Sequence, residues 1–377
     1  MKKQILTFTL IIVSFQIACS QENKPPILGQ EKNYSYEVVV DGIFVPWGMA
    51  FINSEELLVT EQSGILYHVK NGIKKEVDGL PNVYFRGQGG LLDVALHPDF
   101  KLNKTIFFTL GVNTENDKKG GNTSLYSAIL DGSKLINVKQ LYKATPNTKV
   151  SQHWGSRIVF DNKGHVYFSI GDRGERDLNP QDITRDAGKI YRLNLDGSIP
   201  SDNPFIGTNN VKDAIFSYGH RNPQGMTIHP KTGQIWEHEH GPRGGDEINI
   251  IRGGLNYGWP KITYGKDYVD YVGISPLGKT TSLPGMEQPF YYWIPSIAPS
   301  GMAFSTSNIY DDWKDDLFVG SLKFEYLERL VIKENKVVKR EKILDGIGRV
   351  RNVVEGPDGY LYLGIEGTGV VKVLPTK

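Results

Sequence analysis

The chain has 377 residues, and its 43 Lys and Arg residues nearly balance its 42 Asp and Glu residues. The resulting formal charge of +1, with no basic run, excludes the phosphate attraction on which nucleic-acid binders depend, so we expect no nucleic-acid partner. Hydrophobic residues make up 39% of the chain, which excludes intrinsic disorder, and the single cysteine excludes an intramolecular disulfide.

The N-terminus predicts export. Lys2-Lys3 precedes an apolar stretch, residues 5–17, that is too short to cross a bilayer as a helix, since about 20 residues are needed. Cys19 follows in a context that resembles a bacterial lipoprotein signal, in which the cysteine carries a lipid; an ordinary signal peptide is the alternative. We expect residues 1–19 to be this signal and 20–35 a polar linker. The mature protein would lie outside the cytoplasm, in the bacterial periplasm or on the outer membrane, with that lipid as its only membrane attachment.

Six stretches of the chain repeat one pattern: a small residue, an alternating apolar run, a turn and a second alternating apolar run. The turns place glycine where a hairpin needs positive φ, as in Asp161-Asn162-Lys163-Gly164 and Pro357-Asp358-Gly359. The repeats begin at residues 48, 92, 156, 225, 301 and 352, and each interval accommodates one four-stranded sheet with its loops. The pattern predicts an all-β protein, a six-bladed β-propeller with four-stranded antiparallel blades, as a single domain over residues 36–377.

Loops of all the blades of a propeller meet at one end of a central channel, so residues far apart in the sequence can form one site. The two longest stretches between the predicted units are about 173–217 and 252–298, and both are rich in Gly, Pro, Asp and Tyr. Such loops on a rigid scaffold commonly carry function. We expect the site to include them.

His153 opens the third unit, and Asp172 ends the neighbouring strand of the same predicted hairpin. A neutral imidazole at a channel mouth is a candidate general base near pH 7 when a carboxylate holds its tautomer. Asp172 is placed to be that carboxylate. A structural histidine at the start of a strand is the alternative.

The fourth unit begins with a group of hydrogen-bond donors. Arg221, Asn222 and Gln224 lie together at a strand entrance, which suits an oxygen-rich planar ligand. A hydrogen-bonded turn is the alternative, because Asn-Pro is a frequent loop signal.

A glycine-rich loop follows in the same unit. Gly241 and Pro242 expose backbone carbonyls and, with Asp246 and Glu247, offer the hard oxygen ligands that calcium prefers; an ordinary wide turn is the alternative. His238-Glu239-His240 places two histidines on one face of a strand, but no third ligand follows at a recognisable spacing, so we do not expect zinc there.

Three cations lie near the C-terminus. Arg349 and Arg351 share one face of an extended chain, an unfavourable arrangement unless an anion lies between them. Lys323 belongs to the preceding unit. A polycarboxylate in the channel would satisfy all three cations, and scattered surface charges are the alternative.

Four motifs occur in order along roughly residues 40–374: His153-Trp154-Gly155-Ser156-Arg157, Arg221-Asn222-Pro223-Gln224-Gly225, Glu239-His240-Gly241-Pro242-Arg243-Gly244-Gly245-Asp246-Glu247 and Arg349-Val350-Arg351. Together they resemble the soluble, pyrroloquinoline-quinone (PQQ)-dependent aldose sugar dehydrogenases of the glucose/sorbosone dehydrogenase family. The resemblance implies PQQ held across the channel mouth beside Ca²⁺. It implies calcium ligation by the carbonyls of Gly241 and Pro242, with Glu247 and Tyr257 at a further calcium position. The cofactor-binding residues it implies are Gln88, Arg221, Asn222, Tyr268, Lys323, Arg349 and Arg351.

The resemblance also implies a reaction. His153 would take the proton from the anomeric hydroxyl of an aldose, with Asp172 orienting it, while a hydride passes to the quinone and Arg221 and calcium stabilise the developing oxyanion. The product would be a lactone, and the electrons would leave to an acceptor that the sequence does not name. Two alternatives stay open: a calcium-dependent lactonase on a six-bladed propeller, and a non-catalytic binding propeller. The first has no use for the cations, and the second gives His153 and Asp172 no role.

Overall fold

The computed structural model describes residues 28–29, 34–114, 117–268 and 277–375. The expected signal over residues 1–19, with Cys19, lies outside the described residues. Among the helices of the described part, none has the length and apolar character needed to cross a membrane.

The described residues form one short helix, α1 (Phe100–Asn103), and otherwise strands. In chain order the strands are β1 (Leu28–Gly29), β2 (Ser35–Asp41), β3 (Pro46–Asn53), β4 (Glu56–Glu61), β5 (Ile65–Lys70), β6 (Ile73–Glu76), β7 (Leu91–Leu96), β8 (Thr105–Thr114), β9 (Asp117–Asp131), β10 (Lys134–Lys143), β11 (Ile158–Phe160), β12 (His165–Ile170), β13 (Lys189–Asn194), β14 (Ile215–Tyr218), β15 (Pro223–Ile228), β16 (Ile235–Glu239), β17 (Asp246–Ile251), β18 (Tyr291–Trp293), β19 (Pro299–Phe304), β20 (Leu317–Ser321), β21 (Leu327–Lys333), β22 (Lys336–Ile343), β23 (Val350–Glu355), β24 (Leu361–Ile365) and β25 (Gly369–Leu374).

These strands form six sheets, which we number as blades in chain order. Blades 1 to 5 each consist of four consecutive antiparallel strands, from β3–β6 to β19–β22, and β1 adds to β22 in parallel. The inner strands β3, β7, β11, β15, β19 and β23 contact one another in order around a ring. The predicted six-bladed β-propeller is confirmed, and the repeat starts fall in the inner strands, or two residues before β11 for the third.

Burial changes from the inner to the outer strands of each blade. The second strands β16, β20 and β24 are buried at every position, because neighbouring blades cover both of their faces. The fourth strands β6 and β10 are mostly exposed and rich in lysine. The core is therefore a set of apolar layers between adjacent blades, such as the one that packs Trp313 against Phe318 and Leu363.

The ring is closed by the start of the chain. Blade 6 consists of β23, β24 and β25 with β2 as its fourth strand, antiparallel to β25. Val40 of β2 is buried against Val370, its register partner, so the first described residues of the domain and the last stabilise one sheet.

Removal of β2 should destabilise the whole propeller, because it leaves β25 as an open edge and exposes the apolar layer beneath Val40. We expect a chain beginning at Gly42 to unfold at a Tm at least about 5 °C below that of a chain beginning at Tyr34, measured by calorimetry. The longer chain controls for the loss of the preceding residues. Equal Tm values would show that β2 does not close the ring.

Candidate active site

Both long, loop-rich stretches lie within blades rather than between them. Residues 171–188 join β12 to β13 in blade 3, and residues 252–290 join β17 to β18 in blade 4. The two loops pack together: Gln181 donates to the Trp259 carbonyl at 2.7 Å and accepts from the Asn256 side chain at 2.8 Å. This contact joins the loops of blades 3 and 4 next to the carboxylate of Asp172.

His153 and Asp172 form a hydrogen-bonded pair with 2.6 Å between Nδ1 and Oδ1. The same Oδ1 accepts the Gly174 amide at 2.7 Å, and Oδ2 accepts the Trp259 indole N–H at 2.8 Å. An ionised carboxylate only accepts, so Nδ1 of His153 carries the proton and Nε2 is left with a lone pair. The pair therefore has the protonation pattern of a general base.

The surroundings of the pair determine the charge of each member at neutral pH. Burial lowers the pKa of His153, and Arg221 adds to that effect while Asp172 opposes it. Burial acts to raise the pKa of Asp172, but His153 and Arg221 outweigh it, and the pKa of Asp172 is lowered. At neutral pH the imidazole is neutral and the carboxylate is ionised.

The backbone at His153 is held in an uncommon conformation. His153 has φ of 57°, in the left-handed region, which costs about 1–3 kcal/mol unless its surroundings enforce it. Its amide donates to Gln88 Oε1 at 2.7 Å, and the Arg173 guanidinium, 3.6 Å from the Trp154 ring centroid, donates to the Val150 carbonyl at 2.6 Å. Since several elements hold this loop, the imidazole is positioned before any ligand binds.

Arg221 and Asn222 lie at the entrance of β15, where Glu239 accepts both of their backbone amides. Arg221 also donates to the His240 carbonyl at 3.0 Å. However, Arg221 Nε and Asn222 Nδ2 are buried without a hydrogen-bond partner. A buried donor without a partner costs about 1–3 kcal/mol, so a ligand that accepts from these groups is favoured.

Two adjoining cavities open at the His153–Asp172 pair. One has a volume of about 670 Å³ and the other about 530 Å³. The residues that line both are His153, Arg221, Pro242 and Tyr268. The larger cavity is also lined by Gln88, His240, Gly241, Asp246, Tyr264 and Lys323. The smaller is also lined by Gln152, Asp172, Glu175, Leu178 and Trp259.

A third cavity, of about 520 Å³, lies in the channel between the inner strands of all six blades. Asp93 and Arg157 line it and are paired with each other at 2.9 Å. It contains neither His153 nor Asp172, so we place the chemistry at the two adjoining cavities.

The calcium ligands implied by the sequence fall in two places. Gly241 and Pro242 line the larger cavity, and the Pro242 carbonyl accepts the Tyr268 hydroxyl at 2.8 Å. Glu247 and Tyr257 line neither cavity. The Tyr257 hydroxyl donates to the Ile250 carbonyl at 2.8 Å, so its side chain is already engaged by the backbone.

The three C-terminal cations are also separated. Lys323 is exposed and lines the larger cavity, whereas Arg349 and Arg351 do not line it. Both arginines pair with Glu366, each at 2.5 Å. The anion expected between them is therefore supplied by the chain itself.

Sequence reasoning missed two residues of this region, Trp259 and Glu366. Trp259 stands in Gly258-Trp259-Pro260, and an aromatic residue between glycine and proline in a long loop was a usable signal. Glu366 directly follows β24, and no spacing in the sequence links it to the arginines at the start of β23.

Comparison with known proteins gives the family. Residues 43–372 match the family model described as Glucose / Sorbosone dehydrogenase. The chain belongs to this family. It is 40% identical to the aldose sugar dehydrogenase YliI of Escherichia coli (strain K12) over 347 residues, which cover 90% of this chain and 92% of that protein.

Solved structures of the family agree. The crystal structure of the soluble aldose sugar dehydrogenase from Escherichia coli in the apo-form is 38% identical, with a TM-score of 0.86 over 91% of this chain and all of that one. The PQQ-bound form of the aldose sugar dehydrogenase from Streptomyces coelicolor is 26% identical, with a TM-score of 0.73 over 91% of this chain and 98% of that one. This member of the family is thus similar to sugar dehydrogenases along nearly its whole length.

We expect His153 to titrate below the ordinary histidine pKa of about 6.5, because burial disfavours its charged form. Asp172→Asn should lower this pKa further, since the Asp172 charge stabilises the imidazolium. NMR titration of the histidine side chains measures both values. Asp177→Asn, which removes an exposed charge from the same loop, is the control; a His153 pKa above 6.5, or equal effects of the two variants, would contradict the assignment.

Proposed function

We propose that the protein oxidises the anomeric hydroxyl of aldose sugars to lactones, with hydride transfer to calcium-bound PQQ and with His153 as the general base. The observation that carries this proposal is the His153–Asp172 pair at the junction of two cavities. The larger cavity suits an anionic cofactor, and the smaller cavity suits a polar substrate. The family and its PQQ-bound member support the same reading.

The larger cavity fits PQQ by its chemistry. PQQ is a planar tricarboxylate, and this cavity offers the Lys323 ammonium, the Gln88 amide and the Arg221 guanidinium, whose Nε is buried without a partner. Tyr268 is 57% exposed at the rim and can cover one face of a flat ligand. PQQ, when bound, supplies the quinone that accepts the hydride.

Calcium fits the same cavity through the carbonyls of Gly241 and Pro242, which are hard oxygen donors. In this structure the Pro242 carbonyl accepts the Tyr268 hydroxyl at 2.8 Å, and calcium would replace that hydrogen bond. We keep Glu247 and Tyr257 as a further calcium position, with the Tyr257 carbonyl rather than its engaged hydroxyl as the donor. Calcium would supply positive charge beside the reacting oxygen.

The smaller cavity is the proposed sugar site. Trp259 and Leu178 offer apolar surface for a sugar ring, while Gln152 and Glu175 offer hydrogen-bond partners for hydroxyls. The site is wide and open, so we expect several aldoses to be accepted.

The chain's own residues perform the proton transfer. His153 Nε2 is placed to take the proton of the anomeric hydroxyl, and loss of that proton together with the C1 hydride would convert the sugar to the lactone. Asp172 keeps Nδ1 protonated and stabilises the imidazolium that forms. Arg221, which lines both cavities, provides positive charge where negative charge develops. The electrons would then pass to an acceptor outside the chain, and we expect the reaction to take place outside the cytoplasm, as the sequence of residues 1–19 predicts.

Reconstitution tests the function. Purified protein supplied with PQQ and Ca²⁺ should reduce an artificial dye with several aldoses. His153→Ala should still bind PQQ but lose turnover by about 10²–10⁴-fold, because the general base is missing. His68→Ala, which changes a histidine in β5 of blade 1, is the control. The function is wrong if no aldose supports turnover, and the base assignment is wrong if His153→Ala turns over normally.

Glu366 should weaken cofactor binding, because it competes with the cofactor carboxylates for Arg349 and Arg351. We expect Glu366→Gln to lower the Kd for PQQ about tenfold, the effect of one charge-assisted hydrogen bond. Fluorescence titration measures the Kd, with Glu37→Gln, an exposed change on β2, as the control. An unchanged Kd would show that the two arginines do not contact PQQ.

A further inference from the structure

Trp259 is a buried side chain that contacts three parts of the active site. Its indole N–H donates to Asp172 Oδ2 at 2.8 Å, and its ring centroid lies 5.2 Å from the Arg221 guanidinium carbon. It also lines the smaller cavity, although it is only 5% exposed. The proposed reaction uses only its apolar surface, so the contacts with Asp172 and Arg221 need a separate explanation.

The backbone of Trp259 is fixed by two other segments. Its amide donates to the Gly219 carbonyl at 2.9 Å, and its carbonyl accepts the Gln181 side chain at 2.7 Å. Gly219 has φ of 79°, and a Cβ at this position would lie 2.2 Å from Asn256 Oδ1, so the close approach requires glycine. Because the segment before β15 and the 171–188 loop both hold Trp259, its N–H is directed at Asp172 before any ligand binds.

The two oxygens of Asp172 have different partners. Oδ1 accepts His153 Nδ1 and the Gly174 amide, whereas Oδ2 accepts the Trp259 indole N–H. Among the described residues, the indole is the only hydrogen-bond donor to Oδ2, and Asp172 itself is 1% exposed. Rotation of the carboxylate would break the bond to the indole, so Trp259 keeps Oδ1 turned towards the imidazole.

The indole N–H also moderates the charge of the carboxylate. A hydrogen bond to the ionised form stabilises that form and weakens its attraction for a neighbouring proton. Without the N–H, Oδ2 of Asp172 would be buried without a partner, and the carboxylate would attract the imidazole proton more strongly. The imidazolium form of His153 would then be stabilised, and the pKa of His153 would rise.

Other charges reach the His153–Asp172 pair from each element packed against it. Those that act on one or both members are Arg173 of the 171–188 loop, Lys189 of β13, Arg221 at the entrance of β15 and His240 after β16. The charged groups that also line the smaller cavity are Glu175, Arg176, Asp177 and Asp267. Trp259→Phe leaves all these groups in place and keeps an aromatic ring beside Arg221, so its effect on His153 can be assigned to the missing N–H.

We propose that Trp259 is a positioning residue for the general base and acts through Asp172. Its N–H keeps Oδ1 turned towards His153 and limits the basicity of the carboxylate, so that His153 stays neutral and able to take a proton. The inference rests on the proposed function for the role of His153 as the base. The hydrogen bonds from Trp259 through Asp172 to His153 belong to the protein alone and can be tested without the reaction.

NMR titration of the histidine side chains tests the inference without PQQ, calcium or turnover. In full-length protein treated with a chelator, Trp259→Phe should raise the pKa of His153 by about 0.5–1, a three- to tenfold change in its acid dissociation constant. Trp236→Phe is the matched control, because Trp236 is also buried in blade 4 and its indole nitrogen has no hydrogen-bond partner. Circular dichroism checks the fold of both variants. An unchanged or lowered His153 pKa in Trp259→Phe, or an equal rise in both variants, overturns the proposal.

Two further measurements show whether the effect passes through Asp172. In an Asp172→Asn background, Trp259→Phe should shift the pKa of His153 by less than half as much, because a neutral amide has no charge for the N–H to moderate. In the wild-type protein, which does not depend on the folding of any variant, the indole N–H resonance of Trp259 should shift with a midpoint at the His153 pKa. A full shift in the Asp172→Asn background, or a Trp259 resonance that does not follow His153, overturns the proposal.

Turnover separates this inference from the proposed function. With PQQ, Ca²⁺ and an aldose, Trp259→Phe should move the acid limb of the kcat profile to higher pH, because a raised pKa protonates His153 earlier as the pH falls. The KM for the aldose should change by about twofold at most, since the phenyl ring keeps an apolar surface in the smaller cavity. An acid limb that stays in place or moves to lower pH overturns the inference. Absence of turnover with every aldose contradicts the proposed function instead, and the NMR results then decide the role of Trp259.

Discussion

Closure of the ring by β2 on β25 is the constraint on which the rest of the structure depends. Each blade buries both faces of its middle strands only because it has a neighbour on each side, so an open ring would leave two apolar faces exposed. Closure also holds the loops of successive blades at one end of the channel. The contact between Trp259 of blade 4 and Asp172 of blade 3 exists because those blades are locked together.

Polar groups in the interior show where ligands are expected. Buried polar atoms without a hydrogen-bond partner occur in several parts of the interior. Arg157 Nη2 and Arg173 Nε are among them, although Asp93 and backbone carbonyls hold the rest of these two side chains. Arg221 Nε and Asn222 Nδ2 are distinguished by their place, because they lie at the entrance of β15 and Arg221 lines both cavities. Glu239 holds this entrance in place by accepting the backbone amides of both residues.

The arginines near the C-terminus show that a charge pattern in the sequence can predict an anion without identifying which group supplies it. Two arginines on one face of a strand do require an anion, and the structure supplies one from the same blade, Glu366. A cofactor that binds these arginines must therefore compete with an internal carboxylate. Lys323 is the member of the group that lines the larger cavity.

The sequence by itself determined the repeat, the number of blades and the motifs that mark the family, because strand alternation and turn chemistry are local and recur in every unit. It also indicated His153 and Asp172 together, since both belong to one hairpin unit. Only the tertiary structure decided that Trp259 holds Asp172, that Glu366 engages Arg349 and Arg351, and that His220 meets Glu237 and Glu239. The reason is physical. These contacts join loops or strands that meet only because of the way the sheets twist and pack, and the repeat pattern of the sequence carries no information about the distances between them.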